Sequence, residues 1–97
     1  MMANPRITVQ VSENGGASGF VEIFLNKEGV EQFIDELRAL SETNDHFHFF
    51  APEWGAPDGL LRLTPYEKDA STAGHVKVNF RSDDWDRDHA PHTLDDN

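Results

Sequence analysis

Cysteine is absent from the 97 residues of this chain. A chain without cysteine forms no disulfide and holds no zinc ion through thiolate ligands. The absence also fits a protein that works in a reducing compartment. We therefore expect the fold to depend on a hydrophobic interior, and a chain of this length to form one domain.

Long apolar runs are absent as well. No stretch approaches the roughly 18–20 apolar residues that a membrane-spanning helix needs. The opening segment, MMANPRITVQ, has neither a basic start nor an apolar core, so it does not resemble a secretion signal. The sequence predicts a cytoplasmic protein with no membrane partner.

Basic residues are scarce. Eight Lys and Arg stand against eighteen Asp and Glu, which gives a net charge of −10 and an isoelectric point near 4.6. This balance opposes binding to nucleic acid or anionic lipid, because both need Lys and Arg to neutralise phosphate. It favours rapid, salt-sensitive association with a basic partner. Acidity that serves solubility alone is the simpler interpretation of the same charge.

Two alternating segments open the chain. Residues 6–12 and 18–25 place apolar side chains at every second position, which is the period of a half-buried strand. Asn14-Gly15-Gly16 lies between them and can adopt positive φ angles. A β-hairpin is therefore expected.

An amphipathic helix is predicted over residues 27–41. Asn26 can cap its first free N–H groups, and Glu28 lies near the positive end of the helix dipole. Apolar residues recur at helical spacing and form one stripe that should face the sheet. The stripe consists of Val30, Phe33, Ile34, Leu37 and Leu40.

Three further strands are predicted at residues 46–50, 60–64 and 75–81. The order is therefore ββαβββ, and we expect an α+β fold: a small, mostly antiparallel sheet with one helix packed on one face. This domain spans residues 1–82. Residues 83–97 hold six Asp and a single Arg but few large apolar residues, which predicts an acidic, disordered tail.

His46 and His48 are two residues apart on a predicted strand, so both imidazoles should project from the same face. With Asp45 beside them and His75 on another strand, a metal site is one interpretation. The commoner arrangement leaves both imidazoles on the polar face while the intervening phenylalanines fill the core. We expect no metal ion at these residues.

Catalytic motifs are missing from the sequence. There is no nucleophilic cysteine, no GxSxG turn and no SxxK motif, and the glycine-rich segment precedes a strand rather than a helix. Glu53 and Asp58 share one loop, where turn formation explains both. We predict no enzymatic activity, no catalytic residue and no cofactor.

Residues 51–59 hold two prolines, two glycines and a tryptophan between two apolar segments. Trp54 has two interpretations. Its ring either packs over the loop between Pro52 and Pro57 and fixes the turn, or it serves as an exposed anchor for a partner. Trp85 can dock the tail onto the domain or stay free.

This part of the chain resembles the small bacterial immunity proteins of the family immunity protein 32. The resemblance rests on a strand with an H-x-H pattern, a Pro-x-Trp-Gly turn and a following Gly-Leu. The amphipathic helix and the strand before it also fit, so the resemblance covers residues 18–64. The three residues after Gly55 make the loop longer than this pattern leads us to expect. The matching residues are His46, Phe47, His48, Pro52, Glu53, Trp54, Gly55, Gly59 and Leu60.

Proteins of that family neutralise a toxin made by the same cell. The resemblance therefore implies an acidic protein-binding module that inhibits a cognate, basic protein toxin stoichiometrically, without turnover. The residues expected to contact the partner are His46, His48, Glu53, Trp54 and Asp58. The alternatives are a homodimeric structural or regulatory domain and a small metal-dependent enzyme that uses His46 and His48.

Overall fold

The computed structural model describes residues 4–12 and 20–96. Within these ranges the elements are β1 (Ile7–Ser12), β2 (Phe20–Leu25), α1 (Lys27–Arg38), β3 (His46–Phe50), β4 (Ser71–Thr72), β5 (His75–Asn79) and α2 (Asp83–His89). The predicted α+β class is confirmed. The predicted turn at Asn14-Gly15-Gly16 lies outside the described residues. No helix in these ranges has both the length and the apolar character that crossing a membrane requires.

The strands form two small antiparallel sheets instead of the single sheet expected. β1 is the centre of the first sheet, between β2 and β4, and β3 pairs with β5 in the second. Residues 71–79 run through both sheets. Ala73 N donates to Val9 O at 2.9 Å, and Ala51 N donates to Gly74 O at 2.9 Å. The chain therefore passes from one sheet to the other at Gly74.

The predicted strand at residues 60–64 is wrong. Leu61 makes only an isolated parallel bridge with Ile7, and its own N–H donates to Phe50 O at 3.1 Å. The segment lies between β1 and the end of β3, and its successive main-chain groups bond to different neighbours, so no ladder develops. The fourth strand is β4, whose two polar residues carry no apolar alternation.

The core lies between α1 and the inner faces of the two sheets. Phe33 of α1 meets Phe47 edge-on with ring centroids 5.9 Å apart, and meets Phe49 at 5.5 Å. Each of these contacts depends on the strand period that turns every second residue of β3 inward. The buried apolar residues are Ile7, Val9, Phe47, Phe49, Ala51 and Leu61.

Asn26 fixes the start of α1, as its position predicts. Its Oδ1 accepts the N–H of Gly29 at 2.7 Å and the N–H of Arg6 at 2.8 Å, so the cap also ties the helix to the start of β1. The helix ends earlier than predicted. The side chain of Asn44 donates to Ala39 O at 2.7 Å and stabilises the turn that leaves the helix.

The apolar stripe of α1 is only partly covered. Phe33 and Leu40 pack on the core, whereas the rest of the stripe stays exposed, because the adjoining strand β2 is an edge strand. The exposed aliphatic residues of β2 and α1 are Val21, Ile23, Leu25, Val30, Ile34 and Leu37.

The segment expected to be a disordered tail contains α2 and a 3₁₀ helix, Pro91–Asp96. The Oγ of Ser82 accepts the N–H of Trp85 at 3.1 Å, and three aspartates lie in the first turn of α2. Acidic side chains are favourable there, because the helix dipole is positive at its N-terminal end. The composition that predicts disorder thus also supplies a capped helix start. The division of the chain at residue 82 stays a prediction.

Candidate functional site

A row of rings covers the outer face of the sheet formed by β3 and β5. Antiparallel pairing places Phe50 opposite His75, and the two rings stack with centroids 4.4 Å apart and an interplanar angle of 9°. His48 Nδ1 lies 2.7 Å from His75 Nε2, a hydrogen bond in which one imidazole donates and the other accepts. Both strands therefore contribute rings to one surface.

The period of β3 explains why these rings face outward. His46 and His48 are exposed, and the phenylalanines that alternate with them, Phe47 and Phe49, are buried. The two histidines therefore share a face, as their spacing predicts. His75 joins them from β5 because it lies on the same side of the paired strand.

Asp45 extends the row beyond β3. His46 stands edge-on to His48 with ring centroids 5.1 Å apart, and its Nδ1 lies 2.8 Å from Asp45 Oδ1. Arg81 Nη1 donates to Asp45 Oδ2 at 3.1 Å. The hydrogen bond with His46, together with the charge of Arg81, lowers the pKa of Asp45 below its ordinary value of 3.8. Asp45 is therefore ionised at neutral pH and orients the imidazole and the guanidinium.

Arg81 continues the row onto α2. Its guanidinium carbon lies 4.5 Å from the centroid of the Trp85 ring, and the Trp85 ring lies 4.7 Å from that of His89. A cation–π contact at an exposed site contributes about 0.5–1 kcal/mol. Trp85 thus contacts Arg81, two residues after the end of β5, and links α2 to Asp45 through that guanidinium.

His48 is electrically neutral at physiological pH. Desolvation of its ring, followed by the charges of His75, His46 and Lys77, lowers the pKa of His48 below the ordinary 6.5. A neutral imidazole can donate one hydrogen bond and accept another. The row therefore has a neutral imidazole at His48 and a carboxylate at Asp45.

Trp54 lies against Gly74, at the point where the chain changes sheets. Residues 52–54 form a 3₁₀ turn, and Gly55 ends it with φ 87°, a left-handed conformation that favours glycine. The Trp54 side chain is 63% exposed, yet a Cβ on Gly74 would overlap the five-membered ring of its indole. The ring is thus held by Gly74, and most of its surface remains exposed.

A groove of about 330 Å³ lies beside the row, between α1, the outer edge of β3 and residues 56–60. Glu36, His48 and Asp58 line it. The structure therefore brings Asp58 to the side of His48. It does not bring Glu53 or Trp54 into this groove, and within the described ranges no ring contact or hydrogen bond joins Trp54 to the two histidines.

The row suits recognition by contact. Among the described side chains, no group of three or more His, Asp and Glu residues is arranged to hold a metal ion. His48 and His75 each use a ring nitrogen in their mutual hydrogen bond, and His46 directs Nδ1 to Asp45. What the arrangement offers a ligand is stacking surface, hydrogen-bonding groups and the paired charges of Asp45 and Arg81.

Sequence analysis missed several members of the row. Phe50, Arg81 and His89 were not among the residues expected to contact the partner, and His75 was named only as a possible metal ligand. The signal for Arg81 was present, because it continues the period-two alternation of His75 and Asn79 on the outer face. His89 could not be found that way, because it depends on the helix that replaced the expected tail.

Comparison of the chain with models of known protein families, with curated proteins and with solved structures finds no match. The resemblance to immunity protein 32 stays a prediction that rests on the residues between His46 and Leu60.

Proposed function

We propose that this chain is an acidic protein-binding module that acts as a stoichiometric immunity protein and inhibits a cognate bacterial toxin. The observation that carries the proposal is a continuous surface on which Asp45 and Arg81 join two groups of rings: Phe50, His75, His48 and His46 on the sheet, and Trp85 and His89 on α2. Aromatic rings have few rotatable bonds, so burying them against a partner yields contact area at a low cost in side-chain entropy.

The charge of the chain supports a basic partner. A net charge of −10 accelerates the approach of a positively charged protein and repels nucleic acid and anionic membranes. Toxins that attack nucleic acid are usually basic, so the acidic surface suits such a toxin. On this proposal the protein works in the cytoplasm, without a cofactor and without turning over a substrate.

The expected contact residues then divide into two roles. His46, His48 and Trp54 supply rings that lose water when a partner covers them. Glu53 and Asp58 are exposed carboxylates on the adjoining loop, where they attract positive charge and raise the association rate.

Sequencing the genes on either side tests the proposal first. We expect a gene immediately upstream for a large secreted protein that ends in a variable, basic domain. Expressing that domain alone should stop bacterial growth, and expressing it together with this chain should restore growth and yield a one-to-one complex. Absence of such a gene, or arrest that persists when this chain is present, would contradict the proposal.

A homodimer is the second candidate function, and a different observation favours it. On the edge strand β2, Val21 is 60% exposed and Ile23 is 51% exposed. Exposed apolar side chains along an unpaired strand edge can be covered by a second copy of the same strand. Sedimentation at micromolar concentration decides the matter: a dimer that Ile23→Lys converts to a monomer supports this candidate, and a strictly monomeric wild-type protein eliminates it.

A further inference from the structure

The outer edge of β3 has main-chain groups directed away from β5. Ala51 N donates to Gly74 O, so Ala51 is one of the residues that bond across to the segment of β5. In an antiparallel pair, residues that bond across the pair alternate with residues whose N–H and C=O groups point to the opposite side. By this alternation His46, His48 and Phe50 direct their main-chain groups away from β5, toward the outer edge.

The chain itself occupies one end of this edge. Leu61 N donates to Phe50 O at 3.1 Å, as the first bond of an added strand would. Beyond that bond, the N–H and C=O groups of His46 and His48 have no hydrogen-bond partner among the described residues. His46 and His48 therefore present main-chain donors and acceptors that could extend the pairing begun by the bond between Leu61 and Phe50.

The two edges of this sheet differ in charge. On β5, Lys77 lies opposite His48, and a lysine on an edge strand discourages pairing with another chain. β3 itself contains no Lys or Arg, and the groove beside its outer edge is lined by Glu36 and Asp58. A segment that carries Lys or Arg would be attracted to the edge of β3, and an acidic segment would be repelled.

We propose that β3 accepts an extended, basic segment of the partner protein as an additional strand. Main-chain hydrogen bonds to His46 and His48 would provide affinity, and basic side chains of the segment would lie against Glu36 and Asp58 and provide specificity. This inference rests on the proposed function, because it names the part of the toxin that the site would bind.

The test uses a synthetic peptide of alternating Lys and Val, and a matched peptide of alternating Glu and Val, added to the full chain. Amide hydrogen exchange is followed by nuclear magnetic resonance. We expect the Lys peptide to slow exchange at His46 and His48 by about tenfold at saturation, with weaker binding as salt is raised. The Glu peptide should have no effect. Protection at β2 or β5, or at no strand, would overturn the inference.

Two proline variants separate the edges. His48→Pro removes an outward N–H from β3 without removing a bond to β5, and Lys77→Pro does the same on the opposite edge. Circular dichroism establishes that each variant is folded. His48→Pro should abolish peptide protection, and Lys77→Pro should retain it. Equal protection in both folded variants would overturn the inference.

Charge variants keep the inference testable if a proline variant unfolds. Glu36→Gln combined with Asp58→Asn should weaken binding of the Lys peptide about fivefold at low salt, because the attraction across the groove is lost. Asp69→Asn removes an exposed charge that does not line the groove and should leave the affinity unchanged. Affinity that is equal in all three proteins would contradict the role of the groove.

The peptide experiment is independent of the toxin. If this chain restores growth but no peptide protects His46 and His48, strand addition is wrong and the proposed function stands. If the Lys peptide protects the edge but no toxin is neutralised, the immunity role is wrong and the edge remains a binding site for basic segments.

Discussion

His48 Nδ1 lies 2.7 Å from His75 Nε2 across the pair formed by β3 and β5. One of these nitrogens must be unprotonated to accept the hydrogen bond, so the bond is lost when both rings carry two protons. The same bond holds the His75 ring in its stack with Phe50. The geometry of the ring row is therefore linked to pH.

The free energy of unfolding should fall as the pH is lowered through 6.5. An unfolded His48 binds its proton near pH 6.5, whereas the folded protein binds it only at a lower pH, because desolvation and the neighbouring charges lower the pKa of His48. Between these two pH values the unfolded state binds more protons, so acid favours unfolding. Urea denaturation at pH 7.5 and 5.5 measures the effect.

The matched control for this prediction is His48→Phe, which keeps a ring in the row but cannot titrate. Its unfolding free energy should depend less on pH over the same range. A nuclear magnetic resonance titration that places the midpoint of His48 at or above 6.5 would contradict the explanation.

Gly74→Ala should displace the Trp54 ring. The added methyl group would overlap the indole, and overpacking of this kind typically costs about 1–3 kcal/mol. In a Trp85→Phe background, the emission of Trp54 should move to longer wavelength. Gly55→Ala is the control: a Cβ there meets no atom, so the left-handed backbone is strained by about 1–2 kcal/mol while the emission stays unchanged. Identical spectra for both variants would contradict the contact.

Gln10→Leu should destabilise the protein by about 1–3 kcal/mol, because it leaves two partly buried main-chain N–H groups without their acceptor. Gln10 is fully buried, and its Oε1 accepts from Tyr66 N at 3.0 Å and from Glu67 N at 3.1 Å. Urea denaturation measures the loss. Gln32→Leu, at a partly buried helix position with one side-chain bond, should change stability by less than about 1 kcal/mol.

Arg81→Gln should detach α2 from the end of β5. The variant loses the cation–π contact with Trp85, of about 0.5–1 kcal/mol, and the ion pair with Asp45. In a Trp54→Phe background the emission of Trp85 should move to longer wavelength. Arg87→Gln breaks an exposed pair with Asp84 and should leave that emission in place. An unchanged spectrum in Arg81→Gln would show that other contacts hold the helix.

The elements that follow from local pattern were predictable from the sequence. β3 alternates histidine and phenylalanine from His46 to Phe49, and only one phase of that alternation buries both Phe47 and Phe49. The start of α1 followed from Asn26, whose side chain accepts the N–H of Gly29. In both places the local preference and the packing of the whole chain agree.

The elements that depend on distant partners were not predictable. The apolar residues around Leu61 suggest a strand, but two different neighbours bond to this segment, and neither offers a ladder. β4 exists because β1 has an open edge, and its two polar residues carry no signal of their own. For α2, Ser82 followed by aspartates is a recognisable helix start. The acidic composition of the same segment led instead to a prediction of disorder.

Only the part of the candidate site that depends on local spacing was predictable from the sequence. The shared face of His46 and His48 follows from their spacing. The hydrogen bond of His48 with His75 depends on the register between strands 27 residues apart in sequence, which spacing does not determine. The contact between Arg81 and Trp85 depends further on how α2 packs.

The central claim is that the ring row binds a protein partner. The most direct measurement is calorimetric titration of this chain with the basic toxin domain encoded beside its gene, for the wild type, His48→Ala and Tyr66→Ala. Tyr66 is 65% exposed and stacks on Phe24, outside the row. We predict one-to-one binding that His48→Ala weakens at least about tenfold, or 1.4 kcal/mol, and that Tyr66→Ala leaves unchanged. Equal affinity in all three proteins, each shown to be folded, would contradict the account.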